Sequence, residues 1–110
     1  MNLAEVTEVG GVKLTQPEKN LLTKLDDKYA WQVFEQDHSV AVNPYTGVEV
    51  VCDPVIGALV EFVQKAYRTY GQSARSPMTL NGVDVPINTF DRVRHLVLRL
   101  DPKVYSMILD

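Results

Sequence analysis

The sequence predicts an α+β fold: a three-stranded antiparallel meander packed against a long central amphipathic helix, with an N-terminal helix and one or two C-terminal helices. Three observations carry this. Residues 53–70, DPVIGALVEFVQKAYRTY, repeat their apolar side chains at the helical period. Short β-branched runs between 30 and 52 are punctuated by Asn43-Pro44-Tyr45-Thr46-Gly47, a turn signal in which Pro sets φ and Gly accepts a positive φ. Helix-start chemistry recurs at Thr15, Asp53 and Asp101, each followed at once or one residue later by proline.

Taken in order, residues 3–14 alternate loosely around Gly10-Gly11, which suits a tight hairpin; a partly ordered arm is the competing picture. Thr15 and Glu18 have capping-box spacing, so a helix is expected from Gln16 to about Lys28, with Leu21, Leu22 and Leu25 as its core stripe. Residues 30–35, 39–43 and 48–52 read as the three strands of the meander, the rival being a first helix that continues through Tyr29 and Val33. In the helix at 53–70, Val55, Ile56, Ala58, Leu59, Val60, Phe62, Val63, Ala66, Tyr67 and Tyr70 fall in an arc of about 200°. Gly57, Glu61, Gln64, Lys65 and Arg68 share the remaining face. An arc that wide calls for neighbours on two sides. Asn81-Gly82 signals a second hairpin closed by Pro86. A further helix is expected to start within residues 88–91, with Asp91 in its first turn and Phe90, Val93, Leu96, Val97 and Leu100 inward. Asp101-Pro102 then opens a short terminal helix with Val104, Tyr105, Ile108 and Met107 turned in.

Residues 1–110 form one domain, long enough for a core without disulfides. Apolar content of 45% and charged content of 23% belong to a globular chain. No apolar run reaches the roughly 20 residues of a membrane span, and the N-terminus carries acids where a signal peptide needs bases. A cytoplasmic protein without membrane association follows. Net charge of −3 argues against non-specific nucleic-acid binding. The charge is unevenly spread: residues 1–60 carry −5 and residues 61–110 carry +2, an asymmetry that suits self-association or simply reflects solvated faces.

Chemistry is sparse. There is no phosphate-cradling loop, no dinucleotide fingerprint and no nucleophile elbow, so no cofactor is expected. His38 and His95 have no metal-ligand spacing, and the lone Cys52 excludes an internal disulfide and a cysteine-based zinc site. Cys52 just before a helix N-terminus is the one candidate nucleophile, where the dipole would lower its pKa, with His38 as its base. The plainer reading makes Cys52 a small buried hydrophobe and Asp37-His38 a solvated turn. Arg92, His95 and Arg99 share a helix face suited to an anionic ligand, an acidic partner or nucleic acid, although no aromatic rings interleave them. Tyr45, Tyr67 and Tyr70 are candidates to line a pocket or an interface.

Three functions are therefore weighed. The first is a non-enzymatic binding module that self-associates as a homodimer, or binds another protein, through the broad apolar surface of the 53–70 helix. The second is a small-molecule binder or minor enzyme with an aromatic-lined pocket near Cys52 and His38. The third is nucleic-acid association through Arg92 and Arg99.

Overall fold

A computed structural model describes residues 3–28, 38–70, 78–80 and 83–110. The fold is α+β. Its strands, among the described residues, form three separate antiparallel two-stranded ribbons.

The first ribbon pairs β1 (Glu8–Val9) with β2 (Val12–Lys13). Its turn is Gly10-Gly11, with φ of 56° and 84°, a pair of left-handed conformations that side chains resist and glycine accepts. A single 3₁₀ turn at Leu3–Glu5 precedes it. Leu3, Val9 and Leu14 are buried, so the N-terminal segment contributes to the core despite its acids.

Helix α1 (Gln16–Lys28) begins at a reciprocal capping box. The Thr15 N–H donates to Glu18 Oε1 at 2.8 Å, and the Glu18 N–H reaches Thr15 Oγ1 at 3.4 Å. Leu22 and Leu25 are fully buried, while Leu21 stays half-exposed beside a cleft.

The second ribbon pairs β3 (Val40–Val42) with β4 (Glu49–Val51) in the register Val40↔Val51, Ala41↔Val50, Val42↔Glu49. Its loop is built by Asn43, whose Oδ1 accepts from the Tyr45 and Thr46 N–H groups at 2.9 and 3.2 Å. Asn43 Nδ2 donates to the Met107 carbonyl at 3.1 Å and so ties the loop to the C-terminal segment. The expected first strand of the meander, residues 30–35, lies outside the described residues.

Helix α2 (Pro54–Tyr70) starts as its Asp-Pro signal requires, with the Val55 N–H donating to Asp53 Oδ1 at 2.8 Å. Every residue from Ile56 to Val60, and again from Phe62 to Gln64, is buried. Two of these correct the sequence reading, which set Gly57 and Gln64 on the outer face. Gly57 lies against the backbone of His38, so close that a Cβ there would fall 1.7 Å from the carbonyl oxygen. Gln64 Nε2 donates to the Val42 carbonyl at 2.7 Å, satisfying a strand acceptor from the helix side. The chain entering β3 therefore covers the face of α2 that carries Gly57 and Gln64.

The third ribbon pairs β5 (Met78–Leu80) with β6 (Val83–Val85), the Leu80↔Val83 pair bracketing positions 81 and 82. Helix α3 (Ile87–Leu100) follows and packs on α2, where Phe62 and Phe90 stack with ring centroids 4.8 Å apart. Its start differs from the expected cap within residues 88–91. Pro86 occupies the cap position with φ −58°, no side chain caps the helix, and the Thr89 N–H closes onto the Pro86 carbonyl at 2.9 Å. Proline has already set the backbone there, which leaves Asp91 beyond the first turn. Phe90, Val93, Leu96, Val97 and Leu100 are buried as the periodicity requires.

Asp101 caps α4 (Pro102–Val104), its Oδ1 accepting from the Val104 N–H at 3.2 Å. The chain then widens into a π-helical turn over Tyr105–Leu109, closed by the Asp110 N–H donating to the Tyr105 carbonyl at 2.9 Å. That wider turn corrects the expected inward set: Leu109 is buried beside Val104 and Ile108, while Met107 faces out. Arg94 of α3 anchors the segment, with Nη2 donating to Tyr105 Oη and to the Leu109 carbonyl, each at 3.3 Å.

Candidate functional site

Three places bring together residues with chemical or recognition potential. The first is a cleft of about 630 Å³ between α1 and α3, lined by Pro17, Glu18, Asn20, Leu21, Lys24, Arg92, His95, Leu96 and Arg99. The cationic face read from sequence, Arg92, His95 and Arg99, opens into it. Arg99 is the member already engaged. Its Nε and Nη2 grip the two Glu18 oxygens in a bidentate pair, each at 2.5 Å, and Nη2 also donates to the Lys13 carbonyl at 2.9 Å. The guanidinium hydrogen bond holds the Glu18 carboxyl below the ordinary glutamate range, and the same partnership raises Arg99. His95 Nδ1 lies 2.8 Å from the Asp91 carbonyl; the carbonyl can only accept, so Nδ1 carries the proton. Glu18, Asn20, Leu21 and Lys24 come from a helix about seventy positions earlier. Sequence reading had no signal that α1 and α3 would share a cleft, and so it did not find Lys24.

The second place surrounds Cys52. The contact recorded between Cys52 and His38 runs from Sγ–H to the His38 carbonyl, at 3.8 Å. Burial pushes the thiol pKa up, and the negative charges of Asp101 and Asp53 push in the same direction. Proximity to the α2 N-terminus does not overcome the burial and the two carboxylates, so the expected lowering of the thiol pKa is reversed. Asp37 lies outside the described residues. His38 contributes to a separate concavity of about 290 Å³ with Val40, Ala41, Val42, Pro44, Gly57, Val60, Glu61 and Gln64, whose described lining contains no Phe, Tyr or Trp.

The third place is the β3–β4 ribbon. Ala41 faces the core, whereas Val40, Val42 and Val51 face out, with Val51 82% exposed. Tyr45 stands at the loop, 90% exposed, on the rim of a hollow of about 220 Å³ shared with Gln64, Ile108 and Leu109. Beyond its pairing to β3, β4 has no strand partner among the described residues. The side chains of Tyr67 and Tyr70 lie outside the described residues.

Among the described residues no group of three or more His, Cys, Asp or Glu side chains is placed to hold a metal ion. No helix among them is long and apolar enough to cross a membrane. No protein-family model, curated protein or solved structure matches this chain.

Proposed function

We propose that this chain is a small non-enzymatic binding module that self-associates as a homodimer through the β3–β4 ribbon. The observation that carries the reading is the outward face of that ribbon: Val40, Val42 and Val51, with Glu49 as the one charge among them, beside a β4 edge that has no strand partner among the described residues. Natural proteins blunt such edges with charge, proline or cover, and an apolar edge left open is a template for another strand. Two copies meeting at β4 about a two-fold axis would extend both ribbons and place Val51 against its own counterpart. Over residues 54–64, where its side chains are described, the apolar circumference of α2 does not serve this purpose, since α2 packs against α3 and β3 within the chain.

The reading keeps three finer elements as proposals. A three-stranded meander packed on the long helix, with residues 30–35 on the β3 side, leaves β4 as the free edge. The partner is a second copy or another protein offering a strand. The site of action is the cytoplasm.

Sedimentation velocity at high micromolar concentration tests the proposal. The wild-type chain is expected to sediment as a dimer, and Val51→Lys as a monomer with an unchanged far-ultraviolet circular dichroism spectrum. A wild-type chain that stays monomeric overturns it.

A further inference from the structure

We propose that the cleft between α1 and α3 binds a small organic carboxylate carrying an apolar body. The cleft shares no lining residue with the β3–β4 ribbon, so this site is independent of self-association.

The lining has two parts. Leu21, Leu96 and Pro17 supply apolar surface, while Lys24 and Arg92 supply positive charge. With Glu18 and Arg99 counted, the lining carries +2 in a chain whose total is −3. The Glu18–Arg99 pair bridges the two helices and cancels within itself, which makes Arg99 part of the wall rather than a ligand. The Lys24 and Arg92 side chains make no hydrogen bond or ion pair among the described residues. The unanswered charge is therefore theirs. This shifts the anion site from the Arg92, His95 and Arg99 set read from sequence to Arg92 with Lys24, across the cleft.

The chemistry of the occupant follows from that pairing. A guanidinium matches a carboxylate through two parallel hydrogen bonds, and an ammonium opposite adds a point charge. A fully hydrated inorganic anion would leave the apolar walls of Leu21 and Leu96 unused, whereas an attached ring or short alkyl body would cover them. The volume of about 630 Å³ lies within the roughly 300–1,000 Å³ typical of small-molecule sites. No Phe, Tyr or Trp ring lines the cleft among the described residues, so it lacks the run of stacking platforms that single-stranded nucleic acid uses.

The probe is 1-naphthoate, titrated into the full chain and followed by amide chemical-shift changes, with neutral 1-naphthalenemethanol as its uncharged counterpart. Saturable shifts are expected at Leu21, Lys24, Arg92 and Leu96, with the alcohol binding about tenfold more weakly or worse. The double variant Lys24→Gln, Arg92→Gln is expected to lose about tenfold in naphthoate affinity with an unchanged melting temperature. The charge-preserving exchange Lys24→Arg, Arg92→Lys is expected to retain binding, which separates loss of charge from loss of shape. Equal binding of naphthoate and the alcohol overturns the proposal, as does undiminished binding in the Gln variant or shifts confined to other residues. Response of these residues only to an acidic amphipathic peptide, with none to naphthoate, also overturns it in favour of a protein partner.

Discussion

At Gly57 the helix and the incoming β3 strand approach until no side chain fits between them. The carbonyl a Cβ would strike is backbone, fixed by the ribbon that starts two residues later, so it cannot swing aside as a side-chain tip would. Gly57→Ala is therefore expected to destabilise by about 2–3 kcal/mol, against the slight gain alanine brings to an exposed helix position. Urea unfolding reads the difference, and an unchanged midpoint would contradict the packing. Gln64 acts in the opposite sense, bringing a polar group inward to meet the Val42 carbonyl. For Cys52, burial and the charges of Asp101 and Asp53 keep the thiol protonated at neutral pH. Native Cys52 is accordingly expected to react with an aromatic disulfide reagent more slowly than the unfolded chain at pH 8. Rapid native labelling, with a thiolate appearing below pH 7, would restore the nucleophile.

Among the elements, the Glu18–Arg99 pair reaches 81 positions along the chain and fastens α1, α3 and the β1–β2 hairpin, the last through the Lys13 carbonyl. Its pH dependence follows from Glu18. A carboxyl whose folded pKa lies below its unfolded value adds stability that is present above the unfolded value, near 4.5, and is lost as pH falls through the folded pKa. The stability gap between wild type and Glu18→Gln is thus expected to be widest at neutral pH and to close on acidification below 4.5. Because the pair is partly solvated, added salt should narrow the gap as well. A gap that is flat across this range, measured by urea midpoints at several pH values, would show the pair to be inert. The C-terminal segment depends on a comparable reach, from Arg94 to Tyr105 and Leu109, reinforced by a cation–π approach of 5.8 Å to the Tyr105 ring.

For the whole molecule, the buried cluster among the described residues takes in Leu3 near one end of the sequence and Leu109 near the other. The main contact joins α2 and α3, and β3 packs on α2 as well. Outside this core, among the described residues, lie the ribbon face and the cationic cleft. If the ribbon face is where copies meet, stability must depend on protein concentration by mass action. The melting temperature of the wild-type chain is expected to rise over a hundredfold range of concentration, while that of Val51→Lys stays constant. A wild-type melting temperature independent of concentration would remove the interface.

The sequence by itself determined where most elements begin and turn. Thr15 with Glu18, Asp53 with Pro54, Asp101 with Pro102, and Asn43 through Gly47 act through hydrogen bonds to groups within about four residues, so neighbours along the chain carry the whole instruction. Pro86 shows the limit of that legibility, because the proline rather than the polar run after it set the start of α3. Only the tertiary structure decided that Gly57 and Gln64 face inward, that Met107 yields its place to Leu109, and that Lys24 and Arg92 share one cleft. Those outcomes depend on which surfaces of remote segments fit together, and periodicity within one helix says which face is apolar without saying what will cover the others.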